Sequence, residues 1–117
     1  MTRKTRILII DNEPRWIEFA QQDLIPFEIV VAHTDQEARD QLEQDQFDLV
    51  IASAGSLEIL DLIAAQYSEK KVVVTTVRPS TQEALRAYRS GAVRYFSKSF
   101  GHQDLLNNVK DVLPKAE

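Results

Sequence analysis

The chain has 117 residues, with 14 basic and 18 acidic side chains for a net charge of −4, and no cysteine. At roughly 150 residues per domain this length holds one domain, residues 1–117, and 44% apolar with 27% charged residues is a folded globular composition, neither disordered nor collagenous. The acidic balance removes the attraction on which nucleic-acid or anionic-membrane binding rests, so neither is expected as a partner. The missing cysteines exclude disulfides and thiolate sites, and two isolated histidines, His33 and His102, cannot build a histidine-rich zinc site.

In chain order, Arg6–Ile10 (RILII) reads as a continuously apolar strand. A helix follows over 14–24, where Pro14 suits the first turn and Ile17, Ala20 and Leu24 share a face. Trp16 falls off that stripe, which predicts a part-exposed contact residue or a lid at a pocket edge. Residues 27–32 (FEIVVA) form the second strand, and the capping-box pair Thr34 and Glu37 opens the second helix. The third strand is 47–52 (FDLVIA), and a helix over 56–67 carries Leu60 and Ile63 on its stripe. The fourth strand is 71–76 (KVVVTT); Pro79 precedes a second capping box, Ser80 with Glu83, at the fourth helix. The fifth strand is 93–97 (VRYFS), and the last helix, 102–113, buries Leu105, Val109 and Val112 before Pro114 stops it. No stretch reaches the roughly 18–20 apolar residues of a membrane span, and residues 1–6 run into a strand without a leader pattern, so the expected location is the cytoplasm.

Apolar strands alternating with amphipathic helices over short connections predict an α/β fold. It is a doubly wound five-stranded parallel sheet with helices on both faces, flavodoxin-like, with any site at the carboxyl ends of the strands. There the sequence places Asp11, Asn12 and Glu13 after the first strand, Ser53 after the third, Thr76 after the fourth and Lys98 after the fifth. These side chains are expected to converge on one small polar pocket. Asp11 and Glu13 are the only candidate metal ligands; the favoured reading has them accept backbone amides at the start of the first helix and pair with Lys98.

On these residues the chain resembles the response-regulator receiver domain, the aspartate-phosphorylated module of bacterial two-component signalling. ILIIDNEP at 7–14 resembles the family's first strand with its acidic pair, FDLVIAS at 47–53 its third strand, and VVVTTV at 72–77 the strand ending in the switch hydroxyl. GAVRYFSKSF at 91–100 resembles the final strand, with Tyr95 as the switch aromatic and Lys98 as the family's lysine. The same resemblance implies four departures. Ser53 stands at the phosphoacceptor position, where a neutral hydroxyl with no adjacent base replaces a carboxylate that is both nucleophile and metal ligand. Asn12 replaces the second acid, so Mg²⁺ binding is expected to be very weak and no other cofactor is expected. The loop after Ser53 is cut back, and Ser99 replaces a proline, which predicts a trans peptide.

The expected function is therefore a pseudo-receiver, a non-enzymatic protein-interaction module in bacterial signalling that works without phosphorylation. The alternative is a receiver still switched through Ser53 phosphorylation or by a small anion at Lys98 and Thr76. A flavodoxin-like cofactor protein is disfavoured, because Asp11, Asn12 and Glu13 stand where a phosphate-cradling loop would be needed. The resemblance further implies an interaction face on the fourth helix, fifth strand and fifth helix, with Arg86, Arg89, Arg94, Asp104 and Asp111 as contact residues for a protein partner or a second copy.

Overall fold

The structure, a computed structural model, describes residues 4–67 and 69–113, and of Leu57 the backbone alone. The element order is β1 (Arg6–Ile10), α1 (Pro14–Asp23), β2 (Glu28–Ala32), α2 (Asp35–Gln44), β3 (Leu49–Ser53), a 3-10 turn (Ala54–Ser56), α3 (Leu57–Gln66), β4 (Lys71–Thr76), α4 (Thr81–Arg89), β5 (Arg94–Ser97) and α5 (Asp104–Val112). All strand pairs are parallel, in the order β2-β1-β3-β4-β5. Pro114, expected to stop α5, lies outside the described residues.

The central strands are apolar throughout because both faces are covered. Leu8, Ile10, Val50, Ala52, Val72 and Val74 meet Ala38 and Leu42 of α2, Ile59 and Ile63 of α3 and Ala87 of α4. Their neighbours Ile7, Ile9, Leu49, Ile51 and Val73 point the other way, onto Ala20 of α1 and Leu105, Val109 and Val112 of α5. Side chains alternate along a strand, so each strand feeds two cores. The capping boxes form as expected: Glu37 N donates to Thr34 Oγ1 and Glu83 N to Ser80 Oγ, both at 3.1 Å.

Several boundaries differ from the sequence reading. β2 and β5 each begin one residue later than expected. β3 begins two residues later and runs on to Ser53, which pairs with Thr75. Phe47 is buried below the strand under the guanidinium of Arg6, which sits 5.2 Å from its ring, and Asp48 takes the amide of Arg6 with its carboxylate at 2.9 Å. α5 begins at Asp104, not at residue 102, because Gln103 adopts the left-handed conformation (φ 68°). The amides this frees are taken by Asp23 at the end of α1: Gln103 N donates to Oδ1 at 2.7 Å and Leu106 N to Oδ2 at 2.9 Å.

Trp16 corrects the sequence reading more substantially. It is 1% exposed, so it is not a surface contact residue. The buried arc of α1 is wider than the Ile17, Ala20 and Leu24 stripe: positions 16, 20 and 24 are four apart and also stack along one face. The Trp16 ring packs against Phe19 and Phe100, each at a centroid distance of 5.6 Å, and lies 5.7 Å from the Lys98 ammonium. It therefore lies beside Lys98 within the core and does not line the groove at the strand ends.

Candidate functional site

The site is built on strand ends. Asp11 leaves β1 with its amide bonded to Ala32 O at 3.0 Å, and Lys98 leaves β5 with its amide bonded to Thr76 O at 2.7 Å. These backbone bonds aim both side chains across the top of the sheet. Asp11 is 4% exposed; its Oδ1 accepts the amide of Glu13 at 3.0 Å, which fixes the turn into α1. The Lys98 ammonium, with a side chain only 5% exposed, lies 2.9 Å from Asp11 Oδ2 and 2.9 Å from Glu13 Oε2. One buried cation thus serves two carboxylates, as the sequence suggested, with its ammonium over the Trp16 ring.

Ser53 and Thr76 line an open groove of about 320 Å³ with Gly55, Arg78, Glu83 and Lys98. The Ser53 hydroxyl accepts the amide of Gly55 at 3.3 Å, inside the single 3-10 turn that carries β3 straight into α3. Thr76 is buried and its hydroxyl accepts the amide of Arg78 at 3.3 Å. Asn12 is exposed and does not join the cluster.

A divalent ion, which the receiver fold implies, needs several oxygens free to face it. Here Asp11 and Glu13 both turn an oxygen to Lys98 Nζ, and the Ser53 hydroxyl is committed to its own turn. The described residues contain no group of three His, Cys, Asp or Glu placed to hold a metal. Such an ion would have to compete with Lys98 for both carboxylates.

Tyr95 reaches α4 at the rim of the groove. Its hydroxyl donates to Glu83 Oε1 at 2.6 Å and accepts the amide of Ser80 at 3.1 Å, so it closes over the first turn of α4. Burial pushes the phenol pKa up, and the adjacent Glu83 carboxylate pushes in the same direction. Ser80 and Glu83 are legible in the sequence as a cap; their meeting with Tyr95, 15 and 12 residues on, is not. After β5, the peptide into Ser99 is trans, as expected. The Ser99 hydroxyl donates to Asp104 Oδ2 at 2.5 Å and accepts the amide of Gly101 at 3.3 Å. A Cβ on Gly101 would meet that carboxylate, so a larger residue there would turn the Asp104 side chain aside.

Of the expected face, Arg86, Arg89, Arg94, Asp104 and Asp111 are all exposed. Asp104 is engaged by Ser99, which removes it from the set of free contact residues; the other four make no ion pair among the described residues. Asp23, the tether between α1 and α5, is absent from the sequence reading, since nothing local marks a carboxylate that caps a helix 80 residues away.

A parallel 2-1-3-4-5 sheet carrying an acid after β1, a hydroxyl at the end of β4 and a lysine after β5 defines a receiver-type signalling module. The chain belongs to the response regulator receiver domain family, whose model matches residues 7–110. It is similar to a heme response regulator, HssR, of Staphylococcus saprophyticus, at 26% identity over 95% of this chain and 52% of that protein; the chain thus spans about half the length of that curated relative. Among solved structures it resembles the signal receiver domain of an HD domain-containing protein from Pseudomonas fluorescens Pf-5, with a TM-score of 0.86, 27% identity and 95% and 88% of the two chains covered. A response regulator from Thermotoga maritima shares the fold, with a TM-score of 0.86 at 23% identity, covering 93% and 97%. No helix among the described residues is long and apolar enough to cross a membrane.

Proposed function

We propose that this receiver domain is a pseudo-receiver, a non-enzymatic module that engages a protein partner in a bacterial signalling pathway without aspartyl phosphorylation and without bound Mg²⁺. The observation that carries this reading is the Lys98 ammonium held 2.9 Å from both Asp11 and Glu13. A receiver that accepts a phosphoryl group needs a carboxylate nucleophile, a divalent ion and a lysine free to meet the phosphoryl oxygens. Ser53 ends β3 as a hydroxyl, and the lysine already neutralises the remaining acids. The Tyr95 bonds to Glu83 and Ser80 tie β5 to the first turn of α4 and support a surface there that is preset in the fold.

Acetyl phosphate with Mg²⁺ is expected to leave the intact mass unchanged, and Mg²⁺ alone to leave the fluorescence of Trp16, the neighbour of Lys98, unchanged. A stable phosphate mapped to Ser53 would favour the alternative of a hydroxyl-phosphorylated switch, and a Trp16 response to millimolar Mg²⁺ would establish a working metal site.

A further inference from the structure

Away from the groove beside Ser53, the end of α1 and the start of α5 enclose a cavity of about 370 Å³, and the two share no lining residue. Its apolar walls are Phe19 of α1, Ile25 and Pro26 just after that helix, and Leu106 of α5. Phe19 is fixed in place by Trp16, at a centroid distance of 5.6 Å, and by Phe100 at 5.4 Å. Leu106 is 7% exposed, whereas Ile25 is 75% exposed although nothing polar about it suits water. The acid in the lining is Asp23, which ties the two walls together by taking the amides of Gln103 at 2.7 Å and Leu106 at 2.9 Å, one on each oxygen. A carboxylate has about four lone-pair positions, so these two bonds leave Asp23 able to accept more. No lysine or arginine stands among the described residues that line the cavity.

We propose that this cavity binds a small organic amine, with its ammonium group on Asp23 and its apolar body against Phe19, Ile25 and Leu106. The size is suitable, since small-molecule sites enclose roughly 300–1,000 Å³ between mostly apolar walls with a few placed polar groups. The sign of the head group follows from charge. The amide end of α5 would by itself attract an anion, but Asp23 and the first-turn Asp104 already meet it. An anion in the cavity would face Asp23 with no basic side chain in the lining to balance it. An ammonium instead meets a carboxylate that two backbone amides hold in position, beside an aromatic ring whose face also favours a cation. The bound amine spans α1 and α5, so it should slow hydrogen exchange at the Gln103 and Leu106 amides.

The probes are phenylbutylamine, phenylbutanol and phenylpentanoate, which share one apolar body and differ in the head group. Phenylbutylamine is expected to bind with a Kd of about 1 mM, shifting amide resonances over residues 19–26 and 102–106. The alcohol should bind about fivefold more weakly and the carboxylate more weakly still. Asp23→Asn should weaken the amine about fivefold and leave the alcohol unchanged. If that variant weakens both alike, the walls have moved, and Ile25→Lys decides on an exposed position: amine affinity falling at least about twofold with the alcohol unchanged supports the proposal, and no change overturns it. Absence of amine binding by about 10 mM, a carboxylate that binds as well as the amine, resonance shifts at Ser53 and Thr76 instead of the cavity, or an amine affinity unaffected by Asp23→Asn would each overturn it. None of these outcomes bears on the pseudo-receiver reading, which concerns the groove.

Discussion

Replacing Lys98 by Met keeps the unbranched apolar stem while deleting the one cation shared by Asp11 and Glu13. Asp11 has a side chain only 2% exposed and cannot turn to water; Glu13, 37% exposed, can. Removing one partner of a buried pair costs about 3–5 kcal/mol when the other is stranded. Asp11 keeps the amide of Glu13, which offsets part of the loss, so the expected destabilisation is about 3 kcal/mol. With a urea slope of about 1.5 kcal/mol/M this moves the unfolding midpoint by about 2 M, at unchanged slope. Asp11→Asn alone leaves Lys98 its contact with Glu13 and should cost less. The double variant should recover about 1–3 kcal/mol relative to the sum of the single changes, because the stranded charge is gone. Additive single and double variants, or a Lys98→Met melt that matches the parent, would refute the claim that this ammonium holds the top of the sheet together. Loss of partner binding with an unchanged melt would make Lys98 a recognition residue.

Two further outcomes follow from the local electrostatics. Arg6 bonds Asp45, pairs with Glu28 at 3.2 Å and lies over Phe47; its hydrogen bond to Asp45 holds that carboxyl pKa below its ordinary value. A depressed folded-state pKa gives stability that is present above the unfolded value of about 3.9 and is lost as pH falls through the lower folded value. Melts between pH 2 and 6 should therefore show an acid loss that Arg6→Gln reduces, and an identical pH profile in the two proteins would reject the link. Tyr95→Phe removes the donor to Glu83 and the acceptor for Ser80 N, so it should cost about 1 kcal/mol and speed exchange of the Ser80 amide. Since the phenol pKa is raised in the fold, its contribution is complete below the unfolded value of about 10 and fades as pH rises through the higher folded value, and the Phe variant should lack that alkaline loss.

The alternation of apolar strands with capped amphipathic helices was enough, from sequence, to set the fold class and sheet type and to put Asp11, Ser53, Thr76 and Lys98 at one end of the sheet. Those features are local, since hydrophobic period and capping chemistry act over four to eight residues, and a parallel sheet brings all its carboxyl ends to one edge. The pairing of Lys98 with both Asp11 and Glu13 was legible too, because opposite charges at that edge have few other partners. What only the tertiary structure decided depended on contacts between distant segments. Trp16 is core because the chain after β5 lays Phe100 over it. α5 starts late because Asp23, from another helix, takes its first amides. Tyr95 belongs to α4 because Glu83 and Ser80 meet its hydroxyl, and Asp104 leaves the interaction face because Ser99 turns back to it. In each case the short-range signal left the placement open, and hydrogen bonds or ring contacts from another segment decided it.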